Sequence, residues 1–164
     1  MAKLNPFSLP EPEDDSDRKL LSDIGEFGWH VVGIHEEENS PRFAFTVGLY
    51  YQYLHPEIMI MGLPHEVAHA LLVSVQSITH KGGYIQPWSA VEEIASFPLV
   101  AVPIHFSHYK EHLGYGMWFY KSLPEPFPAI QLVWPDKAGV FPWQDGYDQR
   151  YFQLQRVLCE EQAL

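Results

Sequence analysis

Nine histidines in 164 residues raise the question of metal or acid–base chemistry. The string His65-Glu66-Val67-Ala68-His69 is a literal H-E-x-x-H. On a helix it sets two imidazoles one turn apart with a glutamate between them, the arrangement by which zinc hydrolases hold a metal and a general base. A catalytic zinc needs a third protein ligand and an open position. His80, Glu92 and Glu93 are the residues in sequence reach, and His80 lies too far along the same helix to share one ion with the pair.

At about 100° per residue, Val67, Ala68, Leu71, Val75 and Ile78 form the apolar side of that helix. His65 and His69 fall on the opposite stripe with Gln76 and His80. Pro64 also places the motif in the first turn. Helical geometry therefore favours a solvated polar face, and a zinc hydrolase is the less favoured alternative. His108 and His112 form a second pair four residues apart, with His105 upstream, and an exposed helix face is again the stronger reading. Cys159 is flanked by Glu160 and Glu161, which disfavour a thiolate.

Two other stretches carry polar residues in apolar surroundings. In Phe43–Glu57, Thr46 and Gly48 end an apolar run where a backbone can approach a ligand. His55 and Glu57 flank Pro56, a spacing that could fix an acid–base pair. In Gln131–Trp143, Gln131 needs a partner if buried. Asp136 shapes the turn, and Trp134, Phe141 and Trp143 could wall a pocket. The competing reading of both stretches is a packed aromatic corner with hydrogen-bonded turns.

These residues need elements to hold them. Arg18–Phe27 has helical spacing and Gly28 can end it. Trp29–His35 and Arg42–Leu49 read as a hairpin around a polar turn, followed by an aromatic loop, Tyr50–Pro56. Glu57–Met61 is an almost wholly apolar, central strand. Pro64 opens a long amphipathic helix, 64–80, stopped by Lys81-Gly82-Gly83. Pro98–Phe106 and Ala129–Trp134 read as strands, Ser107–Leu113 as a short helix and Tyr151–Glu161 as a last helix. The order predicts an α+β fold with a mostly antiparallel sheet that could close like a barrel. Residues 1–17, which include E-P-E-D-D-S-D, read as a flexible acidic tail, and 18–164 as a single globular domain.

Hydrophobic residues at 46% and charged residues at 19% suit a folded core. A net charge of −11 with scattered Lys and Arg excludes a nucleic-acid backbone reader. A lone cysteine and the lack of any long apolar run give the expectation of a soluble, cytoplasmic protein without a membrane partner.

Several motifs together resemble the bacterial domain-of-unknown-function 4262 family. They are G-W-x-V at Gly28–Val31, P-x-F-A-F-T-V-G-L at Pro41–Leu49, and H-P-E at His55–Glu57. G-L-P at Gly62–Pro64 and Q-L-V-W-P-D-x-x-G-x-F-P-W at Gln131–Trp143 complete the set. The resemblance implies a stand-alone bacterial domain. It transfers no catalytic residue, and H-E-x-x-H is not part of the family pattern. A strand ending T-V-G-L, then P-E-I-M-I-M-G and a helix, is also similar to the opening of flavin-reductase-type split barrels.

The leading expectation is a module that binds a small molecule or a protein through an aromatic pocket, in the manner of an immunity protein or antitoxin facing a basic toxin. The ligand-binding candidates are Thr46, Gly48, His55, Glu57, Gln131, Trp134, Asp136 and Trp143. No cofactor or metal is favoured. The alternatives are an FMN-binding oxidoreductase and a zinc hydrolase using His65 and His69.

Overall fold

The computed structural model describes residues 4–161. Residues 1–3 of the expected tail and 162–164 of the expected domain lie outside that range. The first helix, α1 (Asp15–Phe27), is capped by the Asp14 carboxylate, which accepts from the Asp17 N–H at 2.8 Å. It ends at Gly28, whose φ of 86° lets its N–H turn back to the Ile24 carbonyl. The helix thus takes in the last three residues of the stretch expected to be a tail. Upstream, the Phe7 ring packs 5.2 Å from Tyr51 and 5.5 Å from Phe119.

Strands β1 (His30–Ile34) and β2 (Phe43–Val47) form the expected hairpin, with His30 opposite Val47 and Ile34 opposite Phe43. A short helix, α2 (Leu49–Tyr53), leads to β3 (Glu57–Met61), antiparallel to β2. The long helix α3 (His65–His80) returns the chain across the sheet. After β4 (Ala90–Val91) and β5 (Leu99–Pro103) come a 3₁₀ turn and two short helices, α4 (Tyr109–His112) and α5 (Gly114–Phe119). Strand β6 (Ala129–Val133) then enters between β3 and β5, parallel to β3 and antiparallel to β5.

The sheet order is β1-β2-β3-β6-β5-β4, an α+β arrangement with one parallel pair. It is open: β1 and β4 are free edges, so it does not close into a barrel. A two-residue β4 is too short to reach round to β1.

Strands β2, β3 and β6 are buried along their whole length because both faces of the sheet are covered. On one face Phe45, Val47, Met59 and Met61 pack with Leu20, Ile24, Phe119 and Phe127. On the other, Ile58, Ile60, Ile130 and Leu132 pack with Leu71, Leu72 and Val75 of α3. A fully buried Leu or Val contributes about 1.5–3 kcal/mol, so this stripe fixes the helix orientation. The buried side of α3 is Ala68, Leu71, Leu72, Val75 and Thr79, about one residue round from the expected stripe, and Val67 is exposed. Leu72 contributes more apolar area than Val67, and seating it turns the helix.

Three local expectations change. Residues 49–53 are helical rather than an aromatic loop. Ser107–Leu113 is split between the 3₁₀ turn and α4, and α5 follows directly. The expected last helix is only a 3₁₀ turn, Gln149–Gln153, after which the chain runs irregularly beside β6. Among the described residues no helix is long and apolar enough to cross a membrane.

Candidate functional site

Glu57, at the start of β3, is fully buried, and its carboxylate accepts five hydrogen bonds. They come from Thr46 Oγ1 at 2.7 Å, the N–H groups of Gly48, Leu49 and Tyr50 at 2.9, 3.1 and 3.2 Å, and the Tyr120 hydroxyl. The N–H of Tyr51 donates to the same Tyr120 hydroxyl at 3.0 Å. Every free amide at the start of α2 is thereby satisfied. Gly48 makes this possible: its φ is 114°, and a Cβ there would meet the Gly28 carbonyl oxygen and Trp29 Cα at 3.0 Å. Burial pushes the Glu57 carboxyl above its ordinary value, while Tyr120, Thr46 and the α2 amides pull the other way. Burial, then the neighbouring carboxylate, pushes the Tyr120 phenol well up. It therefore stays protonated and donates.

His55 is equally buried. Its Nδ1 lies 2.8 Å from the Pro56 carbonyl oxygen, and the Ile85 N–H donates to its Nε2 at 3.0 Å. The ring is thus the neutral Nδ1–H tautomer, assigned from its partners. Burial pulls its pKa below the ordinary value. Both nitrogens serve to tie the loop after α3 to the start of β3.

The second stretch is satisfied in the same self-contained way. Gln131 donates to the Arg156 carbonyl at 2.7 Å and accepts from the Leu158 N–H at 2.9 Å. Gln155 brackets the backbone of Trp134, accepting from its N–H at 3.0 Å and donating to its carbonyl at 2.8 Å. The Trp134 indole donates to the Met61 carbonyl at 2.7 Å. Asp136 accepts from the N–H groups of Ala138, Val140 and Asp148, each at 2.9 Å. Those bonds, the Val140 one above all, hold its carboxyl below the usual range. Trp143 is half exposed and stacks on Phe141 at 5.2 Å.

The eight candidates therefore fall into separate sets, with Trp143 standing apart on Phe141. Thr46, Gly48 and Glu57 cap α2, His55 pins a loop, and Gln131, Trp134 and Asp136 secure the C-terminal stretch. Tyr120 and Gln155, which complete two of these sets, carry no local signal in the sequence.

Open space lies elsewhere. A cleft of about 510 Å³ opens between α1, β1 and the first turns of α3, and none of the eight residues lines it. It collects His30 and His35 from the β1 region, His65 and His69 from α3, and the aromatic rings of Phe27 and Trp29. At its wall, His30 Nδ1 lies 2.7 Å from Asp23 Oδ2, and Lys19 Nζ lies 2.6 Å from Asp23 Oδ1. Burial works against the Asp23 charge, but Lys19 and His30 outweigh it and hold the carboxyl below its ordinary value.

His69 is exposed as the helical pattern implies, but His65 is half-buried. Its ring meets His35 edge-on at 4.9 Å and sits over Gly33, with Nδ1 3.4 Å from where a Cβ would stand. Its Nε2 is buried without a hydrogen-bond partner among the described residues. The one-residue turn of α3 moves His65 from the polar stripe to the rim of the core.

Among the described residues no three His, Cys, Asp or Glu side chains are placed to hold a metal ion. Glu92 and Glu93 point to solvent, and His80 instead meets the Tyr53 hydroxyl at 3.1 Å. His108 and His112 each engage a backbone carbonyl.

A family model described as Domain of unknown function (DUF4262) matches residues 23–148. The chain belongs to this family. The DUF4262 span begins at Asp23 and takes in the Glu57 knot, His55, the Asp136 turn and most of the cleft wall, while Gln155 lies beyond it. No curated protein and no solved structure matches the chain.

Proposed function

We propose that this DUF4262 chain is a binding module whose site is the imidazole- and aromatic-lined cleft between α1, β1 and α3. The observation that carries this reading is the convergence of His30, His35, His65 and His69, from elements up to 39 positions apart, on one cleft of about 510 Å³. That volume is in the range of small-ligand sites, about 300–1,000 Å³. The two rings contributed by Phe27 and Trp29 supply apolar area, and the imidazoles supply donors and acceptors that follow pH. His65 Nε2, buried and unpartnered, is a polar atom that an occupant could satisfy.

The test is a screen of small heteroaromatic and carboxylate fragments against isotope-labelled protein. Binding is expected to shift the Trp29 indole and the His65 and His69 imidazoles together, and to be lost in Trp29→Ala and His69→Ala. Fragments that perturb only the Phe141–Trp143 stack would count against this reading.

A second reading, an enzyme acting by proton transfer, rests on the Asp23–His30 pair. A carboxylate holding Nδ1 of an imidazole orients its Nε2 as a general base. Loss of turnover in both His30→Gln and Asp23→Asn, with unchanged Tm, would support it. The flavin alternative has less to lean on, because the sheet does not close as the split-barrel similarity requires.

A further inference from the structure

The two edges of the sheet are protected very differently. At one edge β4 offers only two residues. At the other, β1 runs His-Val-Val-Gly-Ile with no Lys or Pro, the residues that commonly blunt an edge. Among the described residues no backbone hydrogen bond joins His30–Ile34 to any segment other than β2. Alternate N–H and C=O groups of β1 therefore face outward unpaired.

Space is available beside that edge on both faces of the sheet. The 510 Å³ cleft lies towards α3, and a second cleft of about 380 Å³ lies towards α1. Lys19, His30, Val31 and Gly33 line both, so the two are continuous along the strand. Gly33 is exposed, and a glycine inside a strand lets another backbone come close. An added strand sends alternate side chains to opposite faces, and each face has a cleft to receive them.

We infer that the β1 edge is a strand-addition site for a basic, extended segment of another protein. This deepens the cleft reading above and rests on it. Charge selects the occupant. The chain carries −11, so edge-to-edge pairing with a second copy is opposed and a cationic segment is attracted. Locally, Asp15 on the α1-side cleft is already paired with Arg18 at 2.6 Å, so the unbalanced negative charge lies beyond the strand's end. Exposed Glu36, Glu37 and Glu38 follow the end of β1. Basic side chains would therefore meet Glu37 and Glu38 past the end of β1, and apolar ones would face Trp29 and Val31.

The test uses the full chain and a capped octapeptide alternating Lys and Val, with its Glu–Val analogue and its fully N-methylated counterpart. Hydrogen exchange of the β1 amides is followed by NMR. The Lys–Val peptide is expected to slow exchange at the outward-facing amides of His30–Ile34. N-methylation should weaken binding about tenfold or more, since it removes the shared backbone bonds, and the Glu–Val peptide should not bind. Equal affinity for the N-methylated peptide, or no protection in β1, overturns the proposal. So does self-association of the free chain through β1, which would make a second copy the occupant. If Trp29 and His69 respond to peptide while the β1 amides do not, strand addition fails and the cleft reading stands. If none of them responds, strand addition fails, and the fragment screen alone decides the cleft reading.

Discussion

Tyr120 donates to Glu57 across 63 positions of sequence and accepts from Tyr51 with the same oxygen. One hydroxyl thus links a buried carboxylate at the start of β3, the first turn of α2, and the segment after α5. The family-motif residues Thr46, Gly48 and Glu57 all take part in this link.

Tyr120→Phe should destabilise the protein by about 1–3 kcal/mol, because it removes one of the five hydrogen bonds to the buried Glu57 carboxylate and leaves the Tyr51 N–H without its acceptor. Glu57→Gln should cost a similar amount, since whichever oxygen its NH₂ replaces accepts from at least one α2 backbone N–H, which can only donate. Urea unfolding of both single variants and the double variant should show strong non-additivity. Additive costs would mean that the two residues act separately.

His55 gives the stability curve an acid limb. Burial depresses its folded pKa below the ordinary histidine value. The unfolded chain therefore takes up the proton first as pH falls. The stability due to the neutral ring is fully present above about pH 6.5 and declines below it. His112, also depressed mainly by burial, adds in the same sense. Denaturant midpoints between pH 8 and 5 should fall on the acid side, and His55→Gln should flatten that limb while lowering overall stability.

Gln155 holds both backbone groups of Trp134. Gln155→Ala should cost about 1–3 kcal/mol for those unmet buried groups. Hydrogen exchange should speed up in residues 154–158 and leave β2 and β3 unchanged. Uniform acceleration across the sheet would contradict this local anchoring.

His65→Leu should raise stability by up to about 1 kcal/mol, because an unpartnered buried nitrogen is exchanged for apolar surface. The same variant should weaken occupancy of the cleft. A fall in Tm would show that Nε2 is satisfied in the folded protein.

The regular elements were legible because their information is local. Leu71 and Val75 repeat at helical spacing, Phe43–Val47 and Glu57–Met61 are continuous apolar runs, and Gly28 and Pro64 punctuate them. The five-residue α2 was not, since a helix that short is marginal alone and exists because Glu57 and Tyr120 cap it from outside. The expected C-terminal helix gave way for the converse reason: Gln131, on β6, binds the backbone of residues 156 and 158 directly. For the candidate site, the sequence marked Gln131 as a polar group needing a partner if buried and Thr46, Glu57 and Asp136 as ligand-binding candidates, but it could not say that their hydrogen-bond partners were internal.

By itself, then, the sequence determined the family, the α+β class, the net negative charge and the main strands and long helix. Tertiary structure alone decided which edge is left open and which histidines meet. Asp23, His30, His35, His65 and His69 converge because α1, β1 and α3 pack around one corner of the sheet. Their approach is set by strand order and by a one-residue turn of α3 onto Leu72. Neither is written in local periodicity, because both follow from how apolar faces far apart in the chain bury one another.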